Sequence, residues 1–120
     1  MHIIAKAAAK RAKRDALIPE HLKLKSLPKD LDVTKFDFSS FLSSQEIAIT
    51  DTEGIAPLLE AIKTKKWSAV DVVSAFGNRA LVATQLTNCL TEICMESALV
   101  RAKGLDEHLA KTGEVVGPLQ

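Results

Sequence analysis

Residues 68–92 read SAVDVVSAFGNRALVATQLTNCLTE, and the way this stretch starts and stops decides the fold. Ser68-Ala-Val-Asp71 has the form of a capping box. A hydroxyl at the N-cap and a carboxylate three residues on can each satisfy a free backbone group where a helix begins. Ala69, Val72, Val73, Phe76, Ala80 and Ala83 then recur at helical spacing, and Val70 and Leu81 widen the stripe. The spacing predicts a helix from about Ala69 to Thr87, and a stripe that broad calls for burial on more than one side. Beyond it, Cys89–Cys94 alternates weakly and is rich enough in β-formers for one short strand at Leu90–Ile93. One short strand makes no sheet by itself, so its partners would lie outside this chain.

Four further helices and one extended strip flank this helix. Towards the C-terminus, residues 96–111 carry Ala98, Leu99, Ala102, Leu105 and Leu109 on one face, and Gly113 suits the position just past a helix end. Towards the N-terminus, Ile55, Leu58, Leu59 and Ile62 form one helical face. Pro57 fits only in a first turn, so that helix starts nearer Gly54 than Thr50, although Thr50-Asp51-Thr52-Glu53 offers a capping signal of its own. Lys63, Lys65 and Lys66 suit its C-terminal end. Ser43 with Glu46 is a second capping box, opening a short helix to about Thr50. Residues 3–17 are alanine-rich and read as a helix with a thin apolar face, closed at Pro19. Residues 19–42 read as an extended strip, whose Phe36, Phe38 and Phe41 would anchor to a surface this chain does not contain.

Composition limits the function. The chain has 120 residues, 47% hydrophobic and 26% charged, which is a globular composition rather than a disordered one. The formal net charge is +1, giving no global case for nucleic acid or an anionic membrane. The charge is uneven, however. Residues 1–14 hold five cations and no acid, while residues 15–120 hold 11 basic and 15 acidic residues, or −4. The cluster Lys10-Arg11-Ala-Lys13-Arg14 has three readings: a nuclear-import patch, part of a basic transit peptide over 1–18, or a solvated helix face. No apolar run reaches the roughly 20 residues of a membrane span.

The candidates for chemistry are few. Cys89 and Cys94 lack zinc-ligand spacing and read as small buried hydrophobes in a reducing compartment. His2, His21 and His108 are far apart in sequence and read as surface residues. Asp106, Glu107 and Glu114 read as solvated charges on or beyond the last helix. The serines and threonines between Ser39 and Thr87 have no nucleophile-elbow or Ser-x-x-Lys setting, and the five glycines form no phosphate loop.

Taken together, the segments resemble the N-terminal region of the amidase signature family, in its fungal acetamidase and general-amidase branch. The resemblance rests on Lys10-Arg11-Ala-Lys13 with Ile18-Pro19, Leu27-Pro28, the Leu42–Thr50 stretch and Ser68-Ala-Val-Asp71-Val72. It is sharpest in Gln85-Leu-Thr-Asn-Cys89-Leu-Thr-Glu92. It continues in Ala98, Arg101-Ala-Lys103 and Leu105-Asp106-Glu107, and closes on Val116-Gly-Pro-Leu119. It implies an α/β fold, a mixed sheet flanked by helices, of which these residues are the mainly α N-terminal layer. It also implies amide hydrolysis by two serines and a lysine. The neutral lysine takes a proton through a bridging serine, the second serine attacks the carbonyl, and backbone N–H groups hold the oxyanion.

In the family a Gly-Pro-Leu-His-Gly-Leu-Pro-Ile-Ser-Leu-Lys-Asp segment supplies the lysine. This sequence matches its first three residues and has Gln120 where the histidine usually stands. The resemblance therefore puts no catalytic residue on residues 1–120 and calls for no cofactor or metal. The whole chain, 1–120, reads as a partial amidase domain: a basic helix over 1–18, an extended linker over 19–42, a helical part over 43–112, and a lead-in over 113–120 to a missing catalytic strand. The expectation is a truncated amidase, inactive as it stands and cytoplasmic, with mitochondrial or nuclear targeting through 1–18 as the minor alternative. Its expected partners are a small amide substrate in the full-length parent, no nucleic acid and no membrane, with self-association through exposed apolar faces. The alternative is a small helical interaction protein that binds or modulates a full-length amidase.

Overall fold

The computed structural model describes residues 2–30 and 32–119. Five α-helices run in order: α1 His2–Asp15, α2 Ser44–Thr50, α3 Ile55–Lys63, α4 Ala69–Thr87 and α5 Met95–Thr112. Three single 3-10 turns, Glu20–Leu22, Val33–Lys35 and Phe38–Ser40, punctuate the segment between α1 and α2. No strand occurs among the described residues.

The helix starts follow local chemistry. Both predicted capping boxes form. The Asp71 N–H donates to Ser68 Oγ at 2.9 Å and the Ser68 N–H donates to Asp71 Oδ2 at 3.0 Å. The Glu46 N–H donates to Ser43 Oγ at 3.2 Å and the Ser43 N–H donates to Glu46 Oε2 at 2.7 Å. The Thr50–Glu53 signal is not used. Thr50 stays inside α2, where its hydroxyl donates to the Glu46 carbonyl at 2.8 Å. The chain enters α3 instead through Gly54 at φ +83°, a left-handed conformation natural to glycine, and Pro57 falls in the first turn. Helix α5 closes on Gly113 at φ +74°, as its sequence predicts.

Helix α4 is the centre of the molecule, packed against α2 and α5. Helix α5 runs back along it: Met95 lies beside Gly77, and Asp106 lies beside Ala69. The approach at Gly77 is close. A Cβ there would sit 2.2 Å from Met95 Sδ, so the crossing depends on the missing side chain. The buried arc of α4 comprises Ala69, Ala75, Leu81, Val82 and Thr84. Phe76, predicted to lie within the stripe, is 42% exposed. Ile62 of α3 and Ala102 and Leu109 of α5 are buried as their faces predict, whereas Ile55 is exposed.

Two expectations about the irregular segments are corrected. Residues 19–42 need no outside surface. Ile18 and Leu22 join Leu81 and Val82 in one core cluster, and Leu24, Phe36, Phe38 and Phe41 pack against it. Phe36 meets Phe38 edge-on at 5.1 Å and stacks on Phe41 at 6.1 Å, and the Arg79 guanidinium lies 4.6 Å over Phe38. Leu90–Ile93 does not form a strand either. Among the described residues there is no strand for it to pair with, and the backbone of Leu90 is engaged by side chains of α1 and α4. The lead-in over 113–119 is irregular and lies along α3, with Val115, Gly117 and Pro118 beside Ala56, Leu59 and Ile62. The Gln120 comparison falls outside the described residues.

Two measurements check this packing. Leu22 is fully buried although it stands in a single 3-10 turn. Leu22→Ala should therefore cost about 2–5 kcal/mol in urea unfolding, as for a core leucine. Leu27→Ala, at an exposed residue of the same segment, should stay within about 0.5 kcal/mol. The second concerns pH. Burial pushes the Glu46 carboxyl upward, but hydrogen bonds from the Ser43 N–H, the Asn78 amide and the Ser43 hydroxyl outweigh it, aided by the charge of His21. The net effect holds Glu46 below its ordinary value of 4.5. A carboxyl lowered on folding stabilises the fold fully above its unfolded pKa and loses that contribution as pH falls through the folded one. Unfolding curves from pH 6 downward should show a loss of stability starting near the ordinary value, and Glu46→Gln should flatten that part of the profile.

Candidate functional site

The sharpest motif, Gln85 to Glu92, folds as the last turn of α4 and its exit, and its polar side chains gather distant backbone onto that point. Gln85 is the bridge. Its Nε2 donates to the Leu22 carbonyl at 2.9 Å and to the Leu81 carbonyl at 3.0 Å, and its Oε1 accepts from the Leu24 N–H at 2.9 Å. One amide thus pairs a strip of irregular chain as a sheet neighbour would. Thr84, the one buried polar residue among those described, accepts the Leu90 N–H on its hydroxyl at 3.1 Å. Asn88 ends the helix in a left-handed conformation at φ +54°, a role that asparagine fills more readily than most residues.

Arg14 completes the cluster from α1. Its Nη1 donates to Asn88 Oδ1 at 2.7 Å and to the Leu90 carbonyl at 2.6 Å, and its Nε donates to Asp15 Oδ1 at 2.8 Å. The side chain is 9% exposed although the helix that carries it buries no residue. Lys10 of the same helix pairs with Glu92 at 2.8 Å, which raises the lysine and lowers the carboxyl from their ordinary values. Of the basic cluster, then, Arg14 is built into the fold while Arg11 and Lys13 face solvent.

The other residues predicted for chemistry fall apart in space or take structural roles. Cys89 and Cys94 are both exposed free thiols, not buried hydrophobes. The segment that holds them curls over the α4 terminus instead of entering a sheet, so nothing covers them. His2, His21 and His108 are exposed. Glu107 and Glu114 are solvated as predicted, but Asp106 is not. Its two carboxylate oxygens accept the Ala69 N–H at 2.7 Å and the Val70 N–H at 3.1 Å. Asp106 on α5 therefore caps α4 beside the Ser68–Asp71 box, against the positive end of that helix. A lone aspartate on a polar face carries no sequence signal for this role, since the pairing spans 37 positions. Among the described residues no group of three or more His, Cys, Asp or Glu side chains could hold a metal ion. Their hydroxyls bond to carbonyls, carboxylates, backbone N–H groups and Arg79, not to lysine or histidine. The site organises structure.

The chain is 47% identical over 116 residues, 94% of its length, to a Schizosaccharomyces pombe protein provisionally named an amidase. It is 40% identical over 114 residues to the acetamidase of Emericella nidulans. Its structure superposes on a fatty acid amide hydrolase with a TM-score of 0.81 over 98% of the chain, at 30% identity. The chain belongs to the amidase signature family. It resembles the N-terminal part of that fold and the fungal amidases and acetamidases within the family. It spans 22% of the length of the S. pombe protein, 21% of the acetamidase and 22% of the solved hydrolase. No family model matches it. No helix of the described residues is long and apolar enough to cross a membrane.

Within this family unit, Asp106 and Gln85 are predicted to matter as fasteners. Asp106→Ala leaves two N–H groups of α4 without a protein acceptor and should cost about 1–2 kcal/mol of stability, the range for a lost N-cap. Asp106→Asn, which keeps one acceptor oxygen, should cost less. Chemical denaturation of both variants beside wild type checks the order.

Proposed function

We propose that these residues serve as the N-terminal helical layer of an amide hydrolase acting on the carbon–nitrogen bonds of small linear amides. The family's serine pair and lysine belong to sequence that residues 1–120 do not contain. The reading is supported by one observation above the others. Through Gln85, Asn88 and the backbone of Leu90, the Gln85–Glu92 motif, the sharpest point of resemblance, joins α1, the 19–42 segment and α4. The likeness to amidases covers nearly all of this chain but about a fifth of theirs, which fits a supporting layer. The compartment we propose is the cytoplasm, because the best-anchored residue of the basic segment, Arg14, is engaged in the fold and not free for recognition.

The purified 120-residue chain should release no ammonia from acetamide or a longer linear amide above the buffer rate. Serine-dependent turnover by the chain alone would overturn the proposal. Adding the separately expressed remainder of a related fungal acetamidase should give a complex on gel filtration, and amide hydrolysis only when both parts are present.

A further inference from the structure

Helix α1 buries none of its residues, yet it runs for 14 residues beside the rest of the fold. An isolated helix of that length is marginal in water even when alanine-rich, so its order must come from attachment. Among the described residues, two side chains of α1 bond to the body, both polar. Lys10 meets Glu92 with both side chains largely exposed, and such a pair contributes little. Arg14 is different. It is 9% exposed and donates to two acceptors on the far side of the sequence, Asn88 and Leu90. Hydrogen bonds from a charged donor are stronger than neutral ones. Immediately after α1 the chain is fixed independently, because Ile18 is buried in the core cluster with Leu22, Leu81 and Val82.

We propose that α1 is a latched strap: residues 2–13 are helical and docked while Arg14 holds Asn88 and Leu90, and they detach as a unit when that hold is lost, with the body unchanged. The core ends at Ile18, so nothing apolar has to leave it for the strap to open. Release would dismantle the groove of about 400 Å³ that Lys10, Lys13, Arg14 and Leu17 form with Thr91, Glu92 and Ile93, exposing its 91–93 wall. It would also free the 88–94 segment, with its two exposed thiols, from the hydrogen bonds of Arg14 and the ion pair of Lys10.

Native-state hydrogen exchange on the 120-residue chain tests the device. In Arg14→Ala, amides of residues 6–13 should exchange about tenfold faster or more, as expected for losing a charged hydrogen-bond pair, while amides of α4 and α5 keep their wild-type rates. Lys10→Ala should change the α1 rates far less. Unchanged protection of α1 in Arg14→Ala would overturn the proposal, and so would equal acceleration in α1 and α4. If Arg14→Ala gives no folded protein, Asn88→Gly decides. It removes one acceptor while tolerating the positive φ at that position. Faster exchange confined to α1 supports the latch, whereas no change, or a change shared with α4, refutes it.

Discussion

The amide of Gln85 does for this fold what a sheet edge does elsewhere. A segment of more than twenty residues with only 3-10 turns has backbone groups that must find partners, since leaving them buried and unpaired costs as much as a lost hydrogen bond. At the point where this segment crosses the core, beside the fully buried Leu22, the Leu22 carbonyl and the Leu24 N–H both find theirs on Gln85. With the backbone satisfied there, Leu22 and the three phenylalanines can pack on α4. Without it, burying Leu22 would oppose hydration of its own carbonyl. The packing of Leu22 in the core cluster and the path of the chain around it follow from that contact.

A second set of fasteners locks α4 itself. Its start is held by the adjacent Ser68–Asp71 box and by Asp106 from α5, and its end by Asn88, which Arg14 holds in turn. Helix α4 is thus tied at both termini by residues remote in sequence. This is a suitable design for a helical layer in a larger enzyme, where the geometry of the central helix would be passed on to whatever packs against it. Amides, carboxylates and a guanidinium stand at these joints, which gives the polar residues of the Gln85–Glu92 stretch a structural role.

The fold was largely legible in the sequence where the signals were local. Both capping boxes act within four residues, so Ser43–Glu46 and Ser68–Asp71 specified their helix starts correctly. Gly54, Pro57 and Gly113 constrain their own backbone and were read correctly for the same reason. The misreadings fall where the partner is far away. Leu90–Ile93 has β-formers, but a strand exists only if an edge lies beside it, and here Thr84 and Arg14 take its backbone groups instead. Asp106 looked like a solvated charge because the two N–H groups it serves sit in another helix. Cys89 and Cys94 looked buried because free cysteines usually are, but the exit of α4 leaves them on the surface.

The resemblance to amidases was legible for the same reason as the helix starts. It rests on short runs of residues, Gln85–Glu92 above all, whose identity is preserved in the sequence whatever they touch. By itself the sequence determined the number of helices, the start of α2 and α4, the end of α5 and the family. The tertiary structure alone decided that Leu22 and the phenylalanines Phe36, Phe38 and Phe41 pack in the core, that Arg14 is nearly buried in an otherwise exposed helix, and that α5 caps α4. Periodicity and capping are written in neighbouring residues. A hydrogen bond across 37 to 76 positions exists only once the chain has folded and brought its donor and acceptor together.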